Sequence, residues 1–142
     1  MNTNLGLGNN FLSSKGKVDD SSIKSAKIIG IYFSAHWCPP CRGFTPKLAE
    51  FYNAVNKNEH CLEIVFVTHD KDESSFKEYF ATMPWLALEF GDTNKGVLQG
   101  KYVSDGIPTL AILKNDGTLL FSDAYGEVGS KGASAFDEWL KK

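Results

Sequence analysis

Cysteine and arginine are both scarce in this chain, and their scarcity narrows the possible functions. The 142 residues include three cysteines, at positions 38, 41 and 61, and a single arginine, Arg42. An odd and low number of cysteines is not typical of a small secreted domain held together by disulfides. In a reducing compartment, a pair of nearby cysteines is more often catalytic or metal-binding than structural. We therefore expect a cytoplasmic protein whose cysteine pair has a chemical role.

Long apolar runs and an excess of charge of either sign are also missing. No apolar stretch approaches the about 18 residues that a membrane-spanning helix needs. The first ten residues are polar and rich in Asn and Gly, so they predict no signal peptide. The net charge of −2, from 15 basic and 17 acidic residues, provides no basic surface for binding nucleic acid or an anionic membrane. We predict neither kind of partner.

The remaining composition is that of one globular domain. Hydrophobic residues make up 42% of the chain and aromatic residues 13%, which allows a sizeable core. No internal repeat, linker or low-complexity tract divides the chain. We predict a flexible N-terminus over residues 1–10 and a single domain over residues 11–142.

Strand and helix patterns alternate along this domain. The predicted strands are a short edge strand from Phe11 and strands at residues 27–34, 62–68, 109–114 and 118–122. The predicted helices lie at residues 39–56, from Asp72 onward, at 93–103 and at the C-terminus. Residues 83–88 are interpreted as an apolar connector and residues 126–132 as a loop. A central mixed sheet with helices on both faces satisfies this order.

Two of the cysteines stand in the segment 37–42 (Trp-Cys-Pro-Pro-Cys-Arg), where a predicted strand passes into a helix. At a helix N-terminus four backbone N–H groups lack a partner within the helix, and the helix dipole is positive. Both effects favour the thiolate, which is the reactive form of cysteine. In a βαβ pattern, Cys-x-x-Cys is typical of a thioredoxin-like redox motif. We predict that Cys38 is the nucleophile and that Cys41, one turn deeper, is the resolving thiol.

The residues beside the cysteine pair affect its chemistry, but the sequence alone does not decide all of their roles. Pro39 and Pro40 restrict the loop and keep the thiols close, but they also remove N–H donors that would stabilise a thiolate. Arg42 keeps its charge at any relevant pH. Trp37 either presents a flat surface to a partner or packs in the core, and its position next to an exposed thiol favours the surface.

A structural zinc site is the alternative chemistry for two cysteines spaced in this way. Such a site needs four ligands, usually from a second Cys-x-x-Cys or a pair of histidines. The chain offers only Cys61 with His60 beside it, and such neighbours rarely chelate together with a distant pair. We predict no metal and no cofactor other than the redox-active pair, with Cys61 as a bystander.

Three segments resemble the signatures of one protein family. Residues 34–46, which contain the dithiol, resemble the active-site segment of tryparedoxins and nucleoredoxins. Residues 83–88 (Met-Pro-Trp-Leu-Ala-Leu) are similar to a second signature of that family, which ordinary thioredoxins lack. Residues 106–109 (Gly-Ile-Pro-Thr) resemble the cis-proline segment of the thioredoxin superfamily. The similarity covers about residues 11–139, and the three segments together are specific.

This resemblance implies an α/β thioredoxin fold, with a central mixed β-sheet flanked by helices and an N-terminal extension. It implies thiol–disulfide oxidoreductase activity, with Cys38 attacking and Cys41 resolving. It also implies a cis peptide bond between Ile107 and Pro108 beside the dithiol, so that the Ile107 backbone pairs with an extended substrate segment. From the residues alone, Pro108 could equally begin a strand.

Two positions depart from patterns within the superfamily. Thioredoxins carry a buried aspartate six residues before the first cysteine; this chain has Tyr32 there, in agreement with tryparedoxins. A base would then be a water, Glu78 or another carboxylate. Tryparedoxins typically have Trp-Asp after the second strand, whereas this chain has His69-Asp70. These two residues and Trp85 are candidates for a substrate-binding loop, and an exposed histidine without a special role is the alternative for His69.

The resemblance implies a small dithiol reductase that passes electrons to protein disulfides or peroxidases. Its electron donor would be a low-molecular-weight dithiol such as trypanothione, glutathione, or a thioredoxin reductase. The alternative function is a nucleoredoxin-like binding module, in which the state of the dithiol controls association with a partner. We expect a monomer, because a small reductase must expose its thiol to other proteins.

Overall fold

Seven strands and six helices make up the described part of the chain. The computed structural model describes residues 11–13, 15–19, 21–57, 60–92, 94–103, 106–132 and 134–141. The strands are β1 (Phe11–Ser13), β2 (Gly16–Val18), β3 (Ile28–Ser34), β4 (Leu62–Thr68), β5 (Leu86–Leu88), β6 (Thr109–Lys114) and β7 (Leu119–Phe121). The helices are α1 (Ser21–Ser25), α2 (Pro39–Val55), α3 (Glu73–Phe80), α4 (Asn94–Tyr102), α5 (Tyr125–Lys131) and α6 (Ser134–Leu140). The predicted flexible terminus, residues 1–10, lies outside the described residues.

The strands form one mixed sheet in the order β2-β1-β5-β4-β3-β6-β7. β3 is parallel to β4 and antiparallel to β6, and β4 is parallel to β5. β1 and β2 form an antiparallel hairpin, and β1 pairs with β5. The N-terminal extension implied by the family resemblance therefore widens the sheet beyond β5.

Helices cover both faces of the sheet, as the alternating pattern predicts. β3 is buried along its whole length, and its side chains alternate between the two faces. Tyr32 belongs to the larger core, which includes residues from α2, α3, α5 and α6. Phe33 belongs to the smaller core, which includes residues from α1 and α4. The C-terminal end of β3 and the N-terminus of α2, which follow each other in the chain, thus lie together at one edge of the sheet.

Two segments form regular structure that the sequence pattern does not predict. The expected connector over residues 83–88 contains β5, which pairs with β4. The expected loop over residues 126–132 is largely the helix α5, although its glycines are poor helix formers. Asp123 Oδ1 accepts the Tyr125 N–H at 3.0 Å, and Val128 is buried in the larger core. Tertiary packing therefore outweighs the low helix propensity of this segment.

Candidate active site

The cysteine pair lies where β3 passes into α2. Cys38 is the N-cap residue of α2, with an extended backbone (φ −97°, ψ 107°), and Cys41 lies in the first turn. The two Cα atoms are 5.2 Å apart and the sulfur atoms are joined as a disulfide. Cys38 is 5% exposed and Cys41 is fully buried, which confirms the prediction that Cys41 lies deeper. Both cysteines are therefore buried, and of the two only Cys38 keeps a small accessible edge.

The N-terminus of α2 offers fewer hydrogen-bond donors than its sequence position suggests. Of the four N–H groups that a helix leaves unpaired, that of Cys38 donates to the Ala35 carbonyl at 3.2 Å. Pro39 and Pro40 have no N–H at all. The Arg42 N–H donates to the Cys38 carbonyl at 3.1 Å. Among these backbone groups at the start of α2, the Cys41 N–H thus remains to donate to a Cys38 thiolate, and the helix dipole also favours the thiolate.

The turn before Cys38 is held in place by Asp70. One carboxylate oxygen of Asp70 accepts the His36 N–H at 2.8 Å, and the other accepts the Thr68 hydroxyl at 2.8 Å. The His69 N–H donates to the Ser34 carbonyl at 2.8 Å, which fixes the same two chain segments to each other. Asp70 is only 6% exposed. This candidate substrate-loop residue therefore positions the turn through hydrogen bonds within the protein.

Trp37 lies on the surface beside the dithiol. Its side chain is 57% exposed, and its Nε1 donates to the His69 carbonyl at 3.4 Å. Next to the indole is an open cavity of about 480 Å³, lined also by Lys71, Asp72 and Ser75. The surface position expected for Trp37 is confirmed, and core packing is excluded.

His69 is half-buried between β4 and α4 and is not an exposed loop residue. Its ring packs edge-on against Phe33, with 6.2 Å between the ring centroids. The side-chain amide of Gln99 lies 3.4 Å from its Nδ1 atom. Burial, and then the positive charge of Lys95, lower the pKa of His69. The imidazole is therefore neutral at neutral pH.

Trp85 does not lie in a substrate-binding loop, and that expectation is wrong. The side chain is 1% exposed. Its ring packs edge-to-face against Tyr32 and Tyr52, with centroid separations of 6.0 and 5.6 Å. Trp85 precedes β5, whose burial explains the apolar pattern of this segment. Glu78, which was considered as a base, is exposed on α3.

The segment opposite the dithiol has the geometry that the family resemblance implies. The Ile107–Pro108 peptide bond is cis. Ile107 is partly buried and packs against the cluster formed by Ala35 and the two active-site cysteines. Gly106 has a φ of 103°, which favours glycine, and its carbonyl accepts the Thr109 hydroxyl at 2.6 Å. This turn holds Ile107 beside the disulfide.

A group of buried hydroxyls beneath the dithiol was missed by the sequence analysis. Tyr32, at the position of the thioredoxin aspartate, lies 2.7 Å from the Thr45 hydroxyl. Thr45 lies 2.6 Å from the Tyr79 hydroxyl, which in turn lies 2.6 Å from that of Ser34. Burial and the nearby Tyr79 raise the pKa of Tyr32, so it keeps its proton. The only sequence signal was the placement of hydroxyl residues at positions that the strand and helix patterns bury.

The described ranges lack two features that would point to other functions. No group of three or more His, Cys, Asp or Glu residues there is arranged to hold a metal ion. In the same ranges, no helix combines the length and the apolar character needed to cross a membrane.

The known proteins that this chain resembles belong to one family. A family profile described as thioredoxin-like matches residues 25–119. The chain is similar to probable nucleoredoxin 1 from Arabidopsis thaliana, with 46% identity over 119 residues, which is 82% of this chain and 21% of that protein. It is similar to tryparedoxin from Trypanosoma brucei brucei, with 46% identity over 110 residues, which is 75% of this chain and 74% of that protein.

Solved structures of tryparedoxins share the fold over nearly the whole length. For tryparedoxin from Trypanosoma brucei the TM-score is 0.84 at 37% identity, covering 96% of this chain and 95% of that one. For a tryparedoxin II complexed with glutathionylspermidine the TM-score is 0.81 at 32% identity, covering 91% of this chain and 90% of that one. By contrast, the chain spans only 21% to 29% of the length of the nucleoredoxins that it matches.

Proposed function

The chain belongs to the thioredoxin-like family that includes nucleoredoxins and tryparedoxins, and from this premise we propose that it is a dithiol reductase of disulfide bonds. The observation that carries the proposal is the unequal accessibility of the pair. Cys38 keeps a small exposed area of 5% at the N-terminal edge of α2, while Cys41 is fully buried in the same turn. This arrangement suits a reaction in which one thiol attacks a partner and the second thiol attacks only the first.

The reaction proceeds in two thiol–disulfide exchanges. The Cys38 thiolate attacks one sulfur of a substrate disulfide; a mixed disulfide forms and the other substrate sulfur leaves as a thiolate. Cys41, as its thiolate, then attacks Cys38 Sγ, which forms the Cys38–Cys41 disulfide and releases the second substrate thiolate. Two electrons have passed to the substrate, and the two thiolates that leave take up protons from water. Two equivalents of a donor thiol, or one dithiol, return the pair to the reduced state.

We assign the donor to the class of low-molecular-weight thiols. Support comes from the tryparedoxin II structure described as complexed with glutathionylspermidine, which is such a thiol. The proposed acceptors are protein disulfides, including those of peroxidases. Support for a protein acceptor comes from the exposed Trp37 and from the Ile107 segment beside the disulfide, which is suited to pairing with an extended chain.

Two variants and a control test this function directly. We expect the protein to reduce a peptide disulfide with glutathione as donor, and Cys38→Ser to abolish turnover. Cys41→Ser should accumulate a mixed disulfide at Cys38, visible by intact-protein mass spectrometry. Cys61→Ser is the matched control and should keep full turnover, because Cys61 lies before β4 and outside the active-site cluster. Turnover that survives Cys38→Ser would contradict the proposal.

A redox-controlled binding module is the second candidate function. It is favoured by the nucleoredoxin relatives, in which the matched region makes up less than a third of the protein. The two functions differ in one measurement. Tight association with one protein partner in a single redox state, without reduction of any disulfide offered, would favour the binding module over the reductase.

A further inference from the structure

The buried hydroxyl group network converges on a single backbone atom, the carbonyl oxygen of Cys41. The Thr45 hydroxyl donates to this oxygen at 3.0 Å, and the Tyr32 hydroxyl oxygen lies 3.3 Å from it. Thr45 also contacts Tyr32 and Tyr79 at 2.7 and 2.6 Å, and Tyr79 contacts Ser34. Thr45 is therefore the centre of the network, and Cys41 is its end.

The direction of donation follows from counting protons. Each hydroxyl has one proton to donate and two lone pairs that accept. Since Thr45 donates its proton to the Cys41 carbonyl, it accepts from both Tyr32 and Tyr79, and Tyr79 accepts from Ser34. Every short contact then contains one proton, and the chain of donation polarises toward Cys41.

The turn that carries Cys41 lacks one helical hydrogen bond. Pro46 stands within α2 and has no N–H, so the helical bond that would hold the Arg42 carbonyl is absent. The network joins the adjacent Cys41 carbonyl, through Thr45, to Tyr32 on β3 and to Tyr79 on α3. The Cys38 carbonyl, by contrast, accepts the Arg42 N–H and no hydroxyl of this network.

We propose that Thr45, with Tyr32 and Tyr79, positions the resolving cysteine for its attack on Cys38. Thr45 is a positioning residue that acts through the backbone of Cys41. Because a misplacement of about 1 Å slows a reaction between bound groups by about a hundredfold, loosening this turn slows resolution. The proposal rests on the proposed function, since it concerns the second exchange of that reaction.

The two exchanges can be timed separately with 2,2′-dithiodipyridine. In a Cys61→Ser background, attack by Cys38 on one equivalent of this disulfide releases a first pyridine-2-thione, and attack by Cys41 on the mixed disulfide releases a second. Stopped-flow absorbance follows both. We expect Thr45→Val to slow the second release by about tenfold or more and to leave the first within about twofold. Thr45→Ser, which keeps the hydroxyl, should restore the second release.

A partly buried tyrosine outside the network provides the matched control. Tyr52 donates its hydroxyl to Glu63 at 2.9 Å, away from the dithiol. Tyr52→Phe should lower the melting temperature but change neither release. If Thr45→Val does not fold, Tyr79→Phe is measured in the same way and should slow the second release by about threefold.

The proposal is overturned if the second release keeps its original rate in a folded Thr45→Val or Tyr79→Phe variant. It is also overturned if both releases slow equally, or if Thr45→Ser fails to restore the second. A failure of the proposed function looks different, because the first release would then be absent from the unmodified protein.

Discussion

Replacing Asp70 by alanine tests whether one buried carboxylate holds the turn that leads into the active site. Asp70 accepts the His36 N–H and the Thr68 hydroxyl, each at 2.8 Å, and is only 6% exposed. Alanine removes both acceptors and leaves two polar groups without a partner. The loss should therefore appear both in the stability of the domain and in the chemistry of Cys38.

The size of the effect follows from these two hydrogen bonds. A bond to a charged group contributes about 1.5–3 kcal/mol. Two bonds at the lower end of this range amount to about 3 kcal/mol, which is appropriate because water can partly replace the carboxylate at the half-buried His36. For a domain of 142 residues the entropy of unfolding is about 0.3 kcal/mol/K. Asp70→Ala should therefore lower the melting temperature by about 10 °C.

Asp72→Ala is the matched control for this measurement. Asp72 lines the same cavity beside Trp37, but it is an exposed N-cap whose Oδ1 accepts the Ser75 N–H at 2.7 Å. Its removal should lower the melting temperature less than half as much, because the unpaired N–H reaches water. Asp70→Asn keeps one carbonyl oxygen to accept the His36 N–H. Its melting temperature should therefore lie between those of Asp70→Ala and Asp72→Ala.

Circular dichroism gives the melting temperatures, and iodoacetamide modification of the reduced protein gives the reactivity of Cys38. We expect slower modification in Asp70→Ala, since the residues before Cys38 lose their anchor. The reasoning is refuted if Asp70→Ala melts no lower than Asp72→Ala, because the carboxylate then does not hold the turn.

Three further predictions concern stability and partner binding. Burial raises the pKa of Glu63, so the folded state holds this proton more tightly than the unfolded chain, and stability falls as pH rises above the ordinary value of 4.5. Glu63→Gln should therefore gain stability relative to the unmodified protein as the pH rises above 4.5 in urea unfolding; parallel pH curves would contradict this. Gly30→Val should cost about 1–3 kcal/mol by urea unfolding, since even a Cβ there lies 3.3 Å from the Ile64 side chain; an unchanged midpoint would show that the strand adjusts. Trp37→Ala should change stability by no more than about 0.5 kcal/mol but slow reduction of a protein disulfide severalfold and spare glutathione disulfide; equal slowing of both substrates would exclude a partner-binding role.

Several features of the site could be predicted from the sequence because short-range patterns encode them. The strand before Cys38 is a continuous apolar run, and the helix after it has apolar residues at helical spacing. Their junction places the cysteines at a helix N-terminus whatever the rest of the chain does. The cis bond before Pro108 could be expected only from the family resemblance, because the residues alone fit a strand start equally well.

Other predictions were wrong because the features concerned depend on packing between distant elements. The apolar residues around Trp85 fit a binding loop as well as a buried strand. Trp85 is buried because β5, which follows it directly, joins the sheet. The helix α5 forms against its glycine-rich sequence because Val128 packs into the larger core.

The thioredoxin-like class of the domain was implied by the family resemblance of three separate segments. The sequence by itself determined the reactive pair and the strand–helix junction that carries it. These follow from residue types and periodicities within about 20 consecutive positions. Only the tertiary structure decided what surrounds the pair. Tyr79 is 34 residues from Thr45 and 45 residues from Ser34, yet these hydroxyls meet because α2 and α3 pack on the same face of the sheet. Hydrogen bonds between such distant residues leave no local pattern, since they exist only once the sheet and its helices have assembled.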